Sequence, residues 1–234
     1  MIYINEIISA AEKGDLITVN RLLEILDVRS IAHDLDNEAL RCAAENGHLD
    51  IVGRLLDIPN VRNNAHASYN ETLRCAAKNG HLDIVDRLLS IPAVRNMSCI
   101  RDNQALRCAA ENGHWNVVGR LLDIPNVRNN AHASYNETLR CAAKNGNLDI
   151  VDRLLDIPSV RGNAYIWDNE ALRIAASHGY LNIVNRLLEI PDVRSIAHAE
   201  NNYALRGASF NGFLDIVNRL LEIPSVRDNA HAEN

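Results

Sequence analysis

The sequence is poor in aromatic residues and has no long apolar run. Aromatic residues make up 4% of the 234 residues, so the core must be built from Leu, Ile, Val and Ala. The total apolar content of 47% is ordinary for a folded protein and argues against a disordered chain. Because no run of about 18 apolar residues occurs, we expect no membrane-spanning helix. The N-terminus MIYINEIISAAEKGD has neither a basic start nor a small-residue cleavage site, so it does not resemble a signal peptide.

Motifs for catalysis, phosphate binding and metal binding are also missing. The chain contains no G-x-S-x-G, no G-x-G-x-x-G, no phosphate-binding loop and no H-E-x-x-H. Eight of the nine histidines fall in two columns, with a spacing of 33 residues or a multiple of it. This spacing is too wide for chelation, and we interpret these histidines as hydrogen-bonded loop residues. The sequence therefore predicts no catalytic residue, no cofactor and no metal, and we interpret the chain as a non-enzyme.

Cysteine is sparse, and four of the five cysteines share one position of a repeating pattern: Cys42, Cys75, Cys108 and Cys141. Equivalent positions of stacked helices lie about 8–10 Å apart. A disulfide needs Cα atoms within about 7 Å, and Zn–S bonds are about 2.3 Å long. We therefore expect small buried thiols in a reducing, cytoplasmic compartment. Cys99 stands where other repeats carry His and is expected to be an exposed thiol.

Seven glycines recur at an unbroken interval of 33 residues: Gly14, Gly47, Gly80, Gly113, Gly146, Gly179 and Gly212. A fixed period of this length indicates a repeat array in which each unit stacks on its neighbours. We expect one elongated domain over residues 1–234, with more chain following in the natural protein. The predicted units are an N-terminal capping repeat at 1–33, further repeats at 34–66, 67–99, 100–132, 133–165, 166–198 and 199–231, and the start of another loop at 232–234.

One repeat predicts two helices. Residues 39–45 have small apolar side chains on one helical face, and the Asn46–Gly47 pair ends this helix because Gly adopts the left-handed conformation. Residues 49–57 show the apolar spacing of a second amphipathic helix. Pro59 is expected to end it. A polar connector, NVRNNAHASYN, then leads to the next unit.

The unit LRCAAENGHLDIV, followed by LL, resembles the ankyrin repeat, whose usual core reads T-P-L-H-x-A-A-x-x-G-H-L-x-x-V-x-x-L-L. The resemblance extends over the whole chain. It implies an all-α, ankyrin-like solenoid of about seven 33-residue helix-turn-helix repeats, whose loops and concave helix face bind other proteins. The sequence departs from the family where EALR or ETLR replaces T-P-L-H. Asp, Tyr or Asn also replaces the loop glycine, so we expect irregular loops rather than tight hairpins.

The form of the repeat in this sequence, with LLEIPxVR at the end of the second helix, is similar to ankyrin arrays of bacteria and giant viruses that live inside host cells. That resemblance implies a secreted effector that acts on a host protein in the host cytosol. We interpret the chain as a non-enzymatic protein–protein interaction scaffold and expect a monomer that contacts neither membrane nor nucleic acid. Two alternatives stay open: a targeting module of a larger enzyme whose catalytic domain lies outside this chain, and nucleic-acid binding through arginines.

The basic residues are sorted to an unusual degree. Only three of the 24 are lysines, and 20 of the 21 arginines fall in three columns of the repeat, with Arg101 outside them. We expect local pairing in these columns, because Glu38 precedes Arg41 by three residues and Asp50 precedes Arg54 by four. The net charge of −6 also argues against a general phosphate-binding surface.

Residues that break the repeat are the candidates for partner contact, since apolar and aromatic side chains at solvent-facing positions are typical of interface hot spots. The predicted partner-binding residues are Ile100, Arg101, Tyr135, Tyr165, Ile166, Trp167, Tyr203 and Phe210. Seven of the ten aromatic residues lie from Tyr135 onward, which favours a contact in the C-terminal half. Sequence drift, or packing of a modified loop on itself, is the alternative interpretation.

Overall fold

The computed structural model describes residues 2–231, so the loop predicted at 232–234 lies outside the described residues. Residues 2–231 form 21 helices and no strand. In chain order the helices are α1 (Ile2–Lys13), α2 (Leu16–Leu23), α3 (Leu26–Ile31), α4 (Asp34–Glu45), α5 (Leu49–Leu56), α6 (Pro59–Asn63), α7 (Ala67–Lys78), α8 (Leu82–Leu89), α9 (Pro92–Asn96), α10 (Ile100–Glu111), α11 (Trp115–Leu122), α12 (Pro125–Asn129), α13 (Ala133–Lys144), α14 (Leu148–Leu155), α15 (Pro158–Arg161), α16 (Ile166–Ser177), α17 (Leu181–Leu188), α18 (Pro191–Ser195), α19 (Ala199–Phe210), α20 (Leu214–Leu221) and α21 (Pro224–His231). The predicted all-α array of helical repeats is confirmed.

Each repeat contains three helices, one more than the sequence predicts. In the second repeat, α4 and α5 flank the turn at Gly47, and α6 begins at Pro59. The polar connector predicted after Pro59 is therefore partly helical, and this expectation was wrong. Proline suits the first position of a helix, because the N–H that it lacks would have no intrahelical acceptor there. The six prolines accordingly begin six short third helices: α6, α9, α12, α15, α18 and α21.

The helices form two compact units, the first ending at Arg128 and the second beginning at Asn129. In the first unit α1, α4, α7 and α10 pack in order, and in the second α13, α16 and α19 do so. The first helices bury small side chains such as Ala43 and Ala44, which let neighbouring helices approach closely. The second helices bury larger ones such as Ile51 and Leu55. Burying such an aliphatic side chain contributes about 1.5–3 kcal/mol, so stacking stabilises helices too short to fold alone.

At Gly14, Gly47, Gly80, Gly146 and Gly179, the turn between first and second helices packs against an aromatic ring from the following repeat. Gly47 has φ +81°, and a Cβ atom there would lie 2.7 Å from Cε1 of His81. His81 Nε2 donates a hydrogen bond of 3.1 Å to the carbonyl oxygen of Glu45. In the second unit the rings of Tyr180 and Phe213 take the corresponding place, over Gly146 and Gly179. Phe213, a local break in the repeat, is thus a packing residue.

Six of the seven first helices (α4, α7, α10, α13, α16 and α19) contain near their N-terminus an irregular turn of three consecutive left-handed residues. Ser68, Tyr69 and Asn70 have φ values of 48°, 60° and 61°. The third of these residues is always a buried asparagine whose Nδ2 donates to a valine carbonyl of the short third helix. The asparagines are Asn37, Asn70, Asn103, Asn136, Asn169 and Asn202. Asn tolerates this conformation better than most residues, so this arrangement replaces the hairpin that a glycine would permit.

The cysteine column lies on the first helices, where Cys42 and Cys75 are buried and Cys108 and Cys141 are half-buried. Cys99 is half-buried rather than exposed as expected. Burial raises the pKa of the Cys75 thiol to about 11. The thiol of this cysteine therefore stays protonated in the folded protein at neutral pH.

The raised pKa of Cys75 predicts a loss of stability in alkali. Above the ordinary thiol pKa of 9.0, Cys75 ionises in the unfolded chain but not yet in the folded protein. The free energy of unfolding therefore declines as the pH rises from about 9 toward about 11. We expect Cys75→Ala to remove about 1 kcal/mol of the decline between about pH 8 and about pH 10. Urea unfolding of both proteins at the two pH values measures this. An equal decline in the two would contradict the prediction.

Candidate protein-binding surface

The arginine columns mostly pair within the protein. Arg41 lies 3.1 Å from Glu38, three residues earlier, as the spacing predicts. Arg74 pairs with Glu71 in the same way, and its guanidinium lowers the pKa of the Glu71 carboxyl by hydrogen bonding. The predicted pair of Asp50 with Arg54 is not made. Arg54 Nε instead donates a hydrogen bond of 2.9 Å to Asn20 Oδ1 of the preceding repeat.

The partner of Arg54 belongs to a pattern that spacing along one helix does not reveal. Arg186 donates to Asp152 and Arg219 to Asn185, in each case across 34 residues of chain. Stacking places the second helix of one repeat against that of the next, so an Asn or Asp directly before one of these arginines accepts from the arginine of the following repeat. Gly53 and Gly119 stand at this position in two repeats and offer no side-chain acceptor. These arginines therefore join neighbouring repeats.

In the second unit, side chains from successive repeats form an aromatic–arginine row, which consists of Tyr135, Arg140, Trp167, Arg173, Tyr203 and Arg206. The rings of Tyr135 and Trp167 lie 5.3 Å apart. The guanidinium carbon of Arg140 lies 4.3 Å from the Trp167 ring centroid, and Arg140 also forms an ion pair with Glu170. Such cation–π contacts contribute about 0.5–1 kcal/mol each at exposed sites.

The row continues along the next first helix. Arg173 Nη2 donates 3.0 Å to the carbonyl oxygen of Trp167, and its guanidinium lies 5.1 Å from the Tyr203 ring. Arg206 lies 5.6 Å from the same ring. Trp167 remains 50% exposed and Tyr203 46% exposed, so both rings are accessible although each contacts an arginine. Tryptophan, tyrosine and arginine are the residue types most enriched among the hot spots of protein interfaces.

Comparison with known proteins agrees with the helical repeat architecture. A family model described as ankyrin repeats (3 copies) matches residues 7–95, 73–163 and 139–231. The chain belongs to the ankyrin-repeat family. An X-ray structure of an ankyrin repeat family protein from Legionella pneumophila is similar, with 25% sequence identity and a TM-score of 0.52 over 95% of this chain and 72% of that one. No curated protein matches the chain.

Ankyrin repeats are protein-interaction modules, and the structure shows how the predicted contact residues of this ankyrin array are placed. Tyr135, Trp167 and Tyr203 come together in the aromatic–arginine row. Phe210, at the end of α19, is 91% exposed. Tyr165 is exposed and Ile166 half-buried beside Trp167 in the sequence. Partner binding by these residues stays a prediction.

The remaining predicted residues, Ile100 and Arg101, lie in the first unit of the array. Ile100 is half-buried at the start of α10. Arg101 is exposed, and its guanidinium lies 4.5 Å from the ring centroid of Tyr69. Arg101 and Tyr69 thus form in the first unit a single contact of the kind that makes up the aromatic–arginine row of the second unit.

Sequence reasoning missed the arginines of the row and the ring of Tyr69. Arg140, Arg173 and Arg206 look like ordinary members of a structural column, so a search for residues that break the repeat passes over them. The sequence signal that could have found these contacts is a pair of residues about one repeat apart. Arg140 precedes its partner Glu170 by 30 residues, and Arg173 precedes its partner Tyr203 by 30.

The structure adds three observations on other candidate sites of the ankyrin array. Residues 2–231 contain no group of three His, Cys, Asp or Glu side chains that could hold a metal ion. No helix in that range is both long and apolar enough to cross a bilayer. The expectation of hydrogen-bonded histidines is confirmed for the column after the turn glycine, where Nε2 of His48, His81 and His114 donates to a carbonyl oxygen of the preceding repeat. In the loop column it was wrong at Nδ1, which is buried without a partner in His33, His66, His132 and His198.

Proposed function

We propose that this ankyrin array is a non-enzymatic scaffold that binds another protein through the loops and first helices of its second unit. The observation that carries the proposal is the aromatic–arginine row. The rings of Tyr135, Trp167 and Tyr203 are about half exposed there. Aromatic and arginine side chains combine large contact area with few rotatable bonds, which favours binding.

The host-protein effector role is the finer form of this proposal. Its support is the resemblance of the LLEIPxVR repeats to ankyrin arrays of bacteria and viruses that live inside host cells, together with the similar Legionella pneumophila structure. In that role the chain acts in the cytosol of the host cell, on a host protein.

A photo-crosslinking amino acid placed at defined positions tests where the partner binds. We place it at Tyr203 and at Phe210, and as a control at Trp115, which is 62% exposed at the start of α11 in the first unit. The crosslinked products formed in a host-cell lysate are then compared by mass spectrometry. The proposal expects one protein to crosslink from Tyr203 and Phe210 but not from Trp115. Equal labelling from all three positions, or none, would contradict it.

Truncation of Trp167 measures the energy of the contact. We expect Trp167→Ala to weaken the complex with the crosslinked partner at least tenfold, since a hot-spot tryptophan contributes at least about 2 kcal/mol. The thermal midpoint should stay nearly unchanged, because half of the side chain is exposed and its contacts are surface contacts. Trp115→Ala is the matched control and should bind normally. A large fall in the midpoint without loss of affinity would show that Trp167 only packs its own loop.

A further inference from the structure

Tyr203 stands at a position where the preceding repeats carry an acidic or amide side chain: Glu38, Glu71, Gln104, Glu137 and Glu170. In the second unit Glu170 pairs with Arg140, which lies 30 residues earlier. A glutamate at position 203 would stand in the same relation to Arg173, and three residues before Arg206. The tyrosine therefore removes the carboxylate that would lie beside these two arginines.

Neither Arg173 nor Arg206 pairs with a carboxylate elsewhere in residues 2–231. Within residues 2–231, no ion pair involves Arg173 or Arg206. Each donates one hydrogen bond to a backbone carbonyl, Arg173 to Trp167 and Arg206 to Asn201, both at 3.0 Å. Arginine has five N–H donors in a planar fork that matches a carboxylate, so both side chains keep donors for a further acceptor.

The surroundings of Tyr203 have room for such a group and an apolar surface next to it. A cavity of about 260 Å³ is lined by Glu170, Arg173, Ile174, Ser177, His178 and Tyr203. Along α19, Tyr203 precedes Arg206 by three residues and Phe210 follows it by four, so the three side chains share one face of the helix. Phe210 is 91% exposed. A charged pair thus adjoins an apolar contact point about one helical turn away.

We propose that Arg173 and Arg206 bind an aspartate or glutamate side chain of the partner protein, while an apolar side chain close to it in the partner packs on Phe210. The proposal rests on the proposed function and names the chemistry of the partner segment. A single carboxylate fits better than a nucleic-acid strand, because Asp168, Glu170 and Glu200 lie on the same two first helices and repel a polyanion. Charge-assisted bonds of arginine to carboxylate are among the stronger polar contacts.

A displayed peptide library tests the proposal without knowledge of the natural partner. A random linear library on phage is selected against the full chain, and the enriched peptides are synthesised. We expect them to contain Asp or Glu within one helical turn of a large apolar residue. The variant Tyr203→Glu should bind them at least tenfold more weakly, because the new carboxylate occupies Arg173 and Arg206. Circular dichroism should show it to be folded and at least as stable.

Two further comparisons decide whether the arginine pair is responsible. Replacing the peptide's Glu by Gln should weaken binding to the wild type but hardly change binding to Tyr203→Glu, which is a double-mutant cycle. Arg194→Gln changes the net charge by the same amount at an exposed side chain of α18 and should bind like the wild type.

Any of three results rejects the proposal. These are selected peptides that lack an acidic residue, peptides that bind Tyr203→Glu as tightly as the wild type, and competition by inorganic phosphate and single-stranded DNA at lower concentrations than by a free glutamate-containing peptide. The crosslinking result at Tyr203 and Phe210 decides the proposed function separately, so protein binding can stand when the acidic partner is rejected.

Discussion

Asn70→Ala is expected to lower the free energy of unfolding by about 3 kcal/mol. The asparagine is 3% exposed, and its Nδ2 donates 2.8 Å to the carbonyl oxygen of Val94. Leaving a buried carbonyl without its donor costs about 1–3 kcal/mol. Alanine also tolerates the φ of 61° poorly, at a cost of about 1 kcal/mol. Urea unfolding followed by circular dichroism measures the change.

Asn70→Gly separates the two contributions to that loss. Glycine adopts positive φ without penalty, so this variant loses the hydrogen bond but not the backbone conformation. We expect it to be destabilised by about 2 kcal/mol, less than the alanine variant. If both variants unfold at the wild-type urea concentration, the asparagine does not hold the loop to the short third helix.

Gly47→Ala is expected to cost about 3 kcal/mol by a different mechanism. The added Cβ would meet the His81 ring at 2.7 Å, and moving the ring breaks the hydrogen bond of 3.1 Å to Glu45. The φ of +81° is unfavourable for alanine by about 1–2 kcal/mol. The same unfolding measurement applies, with the His81 ring protons in the NMR spectrum as a local reporter of displacement.

Gly212→Ala provides the matched control for Gly47→Ala. Gly212 has φ +75°, but nothing lies within 4 Å of a Cβ added there. We therefore expect only the backbone penalty, about 1–2 kcal/mol. Equal losses in the two variants would mean that the following ring makes no contribution to the turn, and that the glycine column serves the backbone conformation alone.

The repeat period, the positions of the first and second helices and the turn at each glycine could be predicted from the sequence. These features depend on local signals: small apolar residues on one face of α4, the apolar spacing of α5, and Gly47 between them. Each signal recurs in every unit, so accidental matches are averaged out. The exposed aromatic residues could be found for a related reason, since a residue that breaks such a regular pattern stands out.

The short helix that begins at Pro59 and the left-handed turn near the start of the first helices could not be predicted in this way. Proline both ends one helix and begins another, and its local effect does not distinguish the two cases. The positive φ of Tyr69 is unfavourable locally. It is tolerated because Asn70, next to it, bonds a valine carbonyl 24 residues away.

What the sequence determined by itself is the type of molecule: an all-α array of ankyrin repeats, with its few irregular aromatic residues in known places. Only the tertiary structure decided which side chains meet. Arg54 donates a hydrogen bond to Asn20 of the preceding repeat and does not pair with Asp50 on its own helix. Arg173 makes a cation–π contact with Tyr203 rather than an ion pair with a carboxylate. The physical reason is that stacking brings together residues about one repeat apart, and the choice among nearby acceptors depends on distances that only the packed helices define.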